Sequence, residues 1–197
     1  YRGNWWLIPL LKKCENYVEN QDEQEKLSRF GGESTIVPSF LGKIEDFPLC
    51  YKWNESPHVY ISANFGREKE YGFHHIERIA KFVPECVFHL YGAPWKSYQE
   101  NVVCHGSVSK EQFNKDIRNY QCGLRLNKSD GFSEITAKSV LMGQYPIARL
   151  DYPMIPSFTN DYIFIMLLKN LRKYKEPNIS ARNYYLSTIN KFPWSKV

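Results

Sequence analysis

Downstream of Pro57, short apolar runs alternate with amphipathic stretches, and this alternation predicts α/β architecture. His58–Asn64 reads as a strand, after which Phe73, Ile76, Ile79 and Ala80 recur at helical spacing and predict a helix from about Gly72 to Val83. Val87–Tyr91 and Val102–His105 read as the second and third strands, the former ended by Gly92 and Pro94. Ser109 and Gln112 have capping-box spacing and open a helix whose apolar face carries Phe113, Ile117 and Tyr120. Gly123–Asn127 is a fourth strand. A glycine turn at Asp130–Phe132 then leads into a helix from about Ser133 to Met142, closed by Gly143. Tyr145–Arg149 is a fifth strand, and Pro146 points to an edge or strand-start position. Helices at about Asp161–Lys173 and Ile179–Asn190 complete the pattern.

Short strands with intervening helices imply a Rossmann-like, mostly parallel sheet flanked by helices. Such sheets bind ligands at the carboxyl ends of their strands, near a topological switch point. The loops at 64–72, 105–109 and 127–134 are therefore the places to look. The segment before Pro57 behaves differently. Asn16–Asn20 reads as a strand, Glu23–Phe30 as a helix stopped by Gly31 and Gly32, and Thr35–Val37 as a brief strand before Pro38. Residues 39–57 lack periodicity and are punctuated by Pro48 and Pro57. The expected organisation is the end of a mostly missing N-terminal domain over 1–34, a linker over 35–57, and the main domain over 58–197. The chain opens at Tyr1, so a longer natural chain is also expected.

Composition narrows the class. With 197 residues, 43% of them hydrophobic and 24% charged, the chain can bury a core and is not a disordered sequence. The longest apolar runs, Trp5–Leu11 and Tyr162–Leu168, fall far short of the roughly 20 residues that span a bilayer. The net charge of +5 is dispersed, which argues against a nucleic-acid partner. The densest basic cluster, Lys169, Arg172, Lys173 and Lys175, is either a solvated helix end or a contact for an anionic or membrane surface. Cys14, Cys50, Cys86, Cys104 and Cys122 are scattered and odd in number. That pattern argues for reduced thiols in a cytoplasmic setting, against disulfides and against a zinc site.

The densest candidate chemistry lies between Asn127 and Ile147. A strand, a tight glycine turn and a helix start leave the amides at about Phe132–Ile135 without intrahelical partners, at the positive end of the helix dipole. Asp130 precedes them as a hydroxyl acceptor, and Ser133 can cap the helix or touch a ligand. These signals fit an ordinary capped helix as well as an anion site.

The same stretch resembles the nucleotide-sugar site of retaining GT-B glycosyltransferases (group 1, family 4-like). Their motif runs Glu-Gly-Phe-Gly, four residues, Glu-Ala, then Gly and Pro-Val. Asp130, Gly131, Phe132 and Ser133 match its first part, and Gly143 with Pro146-Ile147 its last. His105–Tyr120 is similar to the family's glycine turn and helix before the motif strand. Asn16–Leu41 resembles its last N-domain strand and helix with the lead into the linker, and Phe192-Pro193-Trp194 its C-terminal aromatic element.

The resemblance implies a sugar-nucleotide donor, transfer to an unidentified acceptor with retention of configuration, and neither metal nor cofactor. It also implies that the acceptor site belongs to the missing N-terminal domain, so this chain alone transfers weakly or not at all. Asp130 would face the donor sugar, and the amides of Phe132, Ser133 and Glu134 its sugar and diphosphate. Arg67 and Lys69 would neutralise the departing diphosphate. Gly106 and Ser107 would lie near the base. Lys138 stands where the family's second Glu grips the ribose, and a Lys accepts no hydrogen bond. Three outcomes follow: the ribose is held differently, Lys138 meets a phosphate or an extra acid on an unusual donor, or transfer is lost. Glu134 matches no motif position, and Arg125 is left as an ion-pair partner.

The rival functions are a non-catalytic α/β binding module with a degraded donor site, and a basic nucleic-acid-binding protein. His74 and His75 point about 100° apart on a helix and form no i, i+4 metal pair. No P-loop or G-x-G-x-x-G is present.

Overall fold

A computed structural model describes residues 7–37, 39–40 and 42–191. The Phe192-Pro193-Trp194 element lies outside them, as does Pro38. Five strands, β3 (His58–Ser62), β4 (Val87–Tyr91), β5 (Val102–Gly106), β6 (Cys122–Arg125) and β7 (Ile147–Ala148), form one sheet in the order β5-β4-β3-β6-β7. Every neighbouring pair is parallel. The chain builds outward from β3 to β5, then returns to the other side of β3 as β6, so the order reverses between β3 and β6. The fifth strand is shorter than its sequence pattern suggests and lies at the edge, as Pro146 predicts.

Alternation along the strands sorts the core into two layers. Val59, Ile61, Phe88, Leu90, Cys122 and Leu124 point to one face. There they meet Phe73, Ile76 and Ile79 of α4 (Phe73–Ile79), and Phe164 and Leu168 of α7 (Asp161–Asn170). Tyr60, Tyr91 and Ala148 point to the other face. They meet α6 (Glu134–Leu141) and α8 (Ile179–Lys191), while Ile117, just beyond α5 (Lys110–Asp116), is buried in the same layer. Helices on both faces explain why these strands read as apolar runs rather than as clean alternation. Gly123 lets α6 close on β6, because a methyl there would come 2.9 Å from Ile135.

The capping predictions hold at both helices that matter for the site. Ser109 accepts from the Gln112 amide at 3.1 Å and starts α5, and Ser133 accepts from the Ile135 amide at 3.2 Å and starts α6. The predicted helix over 72–83 is shorter: α3 (Glu68–Tyr71) and α4 meet at Gly72, whose φ of 91° breaks the helix, and a 3₁₀ turn follows over Ala80–Phe82.

Ahead of the sheet, α1 (Ile8–Leu11) is a single turn. β1 (Asn16–Val18), α2 (Gln21–Ser28) and β2 (Ser34–Ile36) then make a small β-α-β unit whose strands pair in parallel. The aperiodic stretch after it is packed rather than loose. Phe40 and Phe47 are buried, the Cys50 amide donates to the Met142 carbonyl at 3.2 Å, and Gln121 holds the Lys52 carbonyl at 2.6 Å.

Beneath α5, three imidazoles form a hydrogen-bonded row across β3, β4 and β5. His58 Nδ1 lies 2.8 Å from His89 Nε2, and His89 Nδ1 lies 2.9 Å from His105 Nε2. Tyr120 stacks on His89 with ring centroids 4.3 Å apart, and Tyr91 stacks on His105 at 4.2 Å. The Tyr91 hydroxyl donates to Asp116 of α5 at 3.1 Å and meets the Tyr120 hydroxyl at 2.6 Å. Among the described residues no helix is long and apolar enough to cross a membrane.

Candidate functional site

A cleft of about 450 Å³ opens at the carboxyl ends of β3 and β6, where the strand order reverses. Ser62 and Asn64 supply the β3 side and Arg125 the β6 side. Lys110 and Phe113 of α5 form one wall, and the start of α6, from Phe132 to Ile135 with Lys138, forms the other. This is where an open parallel sheet places its ligand.

Arg125 is the last residue of β6, and its guanidinium pairs with the Asp130 carboxylate. The side chains are only 13% and 22% exposed, so the pair is poorly screened by solvent. Tyr71 packs beneath it, with the guanidinium carbon 4.7 Å from the ring centroid. Asp130 is not itself in the cleft lining; its carboxylate is held beside the cleft by Arg125, which is.

Lys138 is 4% exposed and its stem is buried in α6, yet its ammonium reaches the cleft. Nζ lies 3.2 Å from Glu134 Oε2 and 3.2 Å from Asn114 Oδ1, and it sits 5.3 Å from the Phe47 ring and 5.7 Å from the Phe113 ring. The packed 39–57 segment therefore helps seat this lysine through Phe47. Glu134 and Asn114 satisfy a charge that would be costly to bury alone.

At the start of α6, the Ile135 amide is capped by Ser133, and the Phe132 amide donates to the Glu19 carboxylate at 2.8 Å. The amides of Ser133 and Glu134 have no acceptor among the described residues. Two open donors at the positive end of a helix dipole, beside Arg125, Lys110 and Lys138, make the cleft suited to an anion.

The remaining sequence candidates sit further out. Arg67 is exposed at the start of α3 and pairs with Glu70, and its guanidinium carbon lies 5.5 Å from the same Tyr71 ring that supports Arg125. Lys69 is exposed on α3, outside the cleft lining. Gly106 ends β5 with a φ of 65°, its carbonyl accepts from the Gly92 amide at 2.7 Å, and Ser107 follows it, exposed. Both lie one turn before the α5 wall. Gly131 lies in the turn before α6, where the Tyr152 hydroxyl donates to its carbonyl.

Sequence reasoning missed Lys110, Phe113, Asn114 and Tyr71 and set Arg125 aside. Arg125 lies inside the predicted strand Gly123–Asn127 and is the ion-pair partner expected there; its place at the cleft shows only because β6 ends at Arg125, two residues earlier than its pattern suggests. Glu19 had no sequence signal, because it reaches Phe132 across 113 positions of chain. Among the described residues no group of three or more His, Cys, Asp or Glu is placed to hold a metal ion.

No protein-family model and no curated protein sequence matches the chain. Solved structures do. TarM superposes with a TM-score of 0.64 at 13% identity, covering 98% of this chain and 45% of its own. The pneumococcal O-GlcNAc transferase GtfA, solved with UDP and GlcNAc, gives 0.61 at 14% identity over 97% of this chain and 46% of its own. The lipopolysaccharide outer core galactosyltransferase WaaB gives 0.62 at 13% identity, over 93% and 62%. The chain spans about half the length of the first two. What these likenesses share with the chain is the fold: a mostly parallel, Rossmann-like sheet flanked by helices, of the GT-B type.

Proposed function

We propose that this chain is the donor-binding half of a glycosyltransferase, and that the sugar nucleotide lies in the cleft between β3 and β6. One observation carries the reading: a cleft at the switch point that combines two open helix-start amides with Arg125, Lys110 and Lys138. The diphosphate sits over the Ser133 and Glu134 amides, and Arg125 and Lys110 balance its charge as it departs. Arg67 and Lys69, exposed at α3 outside the cleft lining, add only a longer-range positive potential to that neutralisation. Asp130, held by Arg125, faces the sugar hydroxyls, and the turn at Gly106 and Ser107 borders the base. Lys138 replaces a carboxylate at the ribose, with Asn114 beside it as the available hydroxyl acceptor.

In the transfer itself, the bond from the anomeric carbon to the diphosphate oxygen breaks as one to the acceptor oxygen forms. The acceptor's proton passes to the departing phosphate, on the same face of the sugar, so configuration is retained. Fixed cations and helix amides do the work of charge neutralisation, without a resident metal. The acceptor is held by the remainder of the protein, as the half-length match to TarM and GtfA suggests.

Calorimetric titration with nucleoside diphosphates tests this, starting with UDP, which is bound in the GtfA structure. The expected result is a Kd between about 1 µM and 1 mM for at least one of them. Heats indistinguishable from dilution for UDP, GDP, ADP, CDP and dTDP at millimolar concentration would remove the donor reading. Binding without transfer from any full-length form would instead make the chain a binding module.

A further inference from the structure

Three carboxylates converge on the start of α6, and they are not held alike. Asp130 is paired with Arg125, and Glu134 with Lys138. Glu19, delivered from the β-α-β unit, has no cationic partner among the described residues and accepts only from the Phe132 amide. The fit is close: a methyl group on Gly131 would come 1.6 Å from Glu19 Oε2, so any residue other than glycine at 131 would expel this carboxylate. The backbone behind it is anchored. The Glu19 amide donates to Glu23 at 2.8 Å, and buried Asn20 both caps α2 through the Glu23 amide at 2.9 Å and donates to the Asp130 carbonyl at 2.7 Å. The side chain of Glu19 can therefore leave Phe132 while its main chain stays in place.

We propose that Glu19 is a built-in competitor at the edge of the anion site, a carboxylate on the Phe132 amide, next to the Ser133 and Glu134 amides that take the diphosphate, and that it is displaced when the donor binds. This rests on the donor reading and adds a competitor to it. A phosphate brought to the Ser133 and Glu134 amides meets a like charge on the next amide along, and both draw on the same helix dipole. Of the three carboxylates, Glu19 is the one that can yield without breaking an ion pair. Its release also removes one of the two side-chain hydrogen bonds, from Glu19 and Asn20, that tie the β-α-β unit to the 130–132 turn. Donor occupancy is thereby communicated to the segment that precedes the sheet.

Calorimetric titration of UDP into the full chain, compared with Glu19→Gln and Glu19→Ala, tests the competition. Both variants should bind UDP about three- to tenfold more tightly, Glu19→Ala the more so. Glu19→Gln nearly preserves shape and serves if the alanine variant is unstable in thermal melts. Unchanged or weaker binding in a folded variant, with the unaltered chain binding normally, overturns the role of Glu19 and leaves the donor reading intact. Binding by the variants alone supports the competition strongly. No binding by any of the three removes the donor reading and this inference with it.

Discussion

Arg125→Ala should weaken nucleoside-diphosphate binding by about 30-fold or more, the largest loss expected from any single side chain of the cleft. Two effects add. The charge-assisted hydrogen bonds that a buried guanidinium offers a phosphate are worth about 1.5–3 kcal/mol, or roughly 10- to 150-fold in affinity. The substitution also leaves Asp130 without its partner, beside the site proposed to accept the diphosphate. Arg125→Lys keeps the charge but loses the planar fork and its seat on Tyr71, so it should recover only part of the affinity. Combining Arg125→Ala with Asp130→Ala removes the stranded charge. That double variant should regain thermal stability relative to Arg125→Ala without regaining full affinity. Calorimetric Kd values with melting temperatures measured alongside separate the two effects, and an Arg125→Ala protein that binds UDP as tightly as the parent would contradict this role.

Mild acid should destabilise the fold well before most carboxylates titrate. Burial lowers the pKa of His58, His89 and His105, and takes His89 down to about 3 because its charged neighbours in the row would also repel its proton. In the unfolded chain these histidines titrate near 6.5. Below that pH the unfolded state binds more protons than the folded state, so stability rises with pH across this window and falls as the pH drops. For His89 alone the loss is on the order of 3 kcal/mol between pH 6.5 and 4. His75, which burial also lowers despite its contact with Asp161, adds to it. Melting temperature followed from pH 7 to 4 should fall steadily, and His89→Gln should flatten the slope between pH 6.5 and 5 whatever it does to absolute stability. An equal slope in parent and variant would show that the row is not the acid-sensitive element.

The row has a bearing on the site because Asp116, on its flank, belongs to the helix that carries Lys110, Phe113 and Asn114. Phe113 packs edge-on to Tyr60 and Tyr91 at 6.0 and 5.1 Å, linking the cleft wall to the aromatic layer around the histidines.

The strands, the capped helix starts at Ser109 and Ser133, and the edge position of β7 were all legible because they rest on local signals: alternation, a hydroxyl at a helix start, a proline that cannot donate. The cleft's position followed from the α/β pattern, since a parallel sheet binds at its carboxyl edge wherever the strand order reverses. What escaped detection depends on distance along the chain. Residues 39–57 have no repeating pattern, yet Phe40 and Phe47 bury against elements far ahead in sequence, and an aperiodic segment gives no sign of that. Lys138 read as a break in a motif. Its surroundings, Glu134 one turn back and Asn114 on another helix, show a lysine built into the cleft wall. Arg67 and Lys69 were plausible from charge and loop position alone. Their place on the exposed α3, with Arg67 touching the Tyr71 that carries Arg125, leaves them only a longer-range positive potential.

A crystal structure of the chain soaked with UDP locates the donor directly. The diphosphate should lie within hydrogen-bonding distance of the Ser133 and Glu134 amides, with the Arg125 guanidinium beside it and the Glu19 carboxylate swung off Phe132. A nucleotide bound away from the β3–β6 cleft, for instance in the groove between Gln21 and the Asp151–Ile155 loop, would contradict this placement.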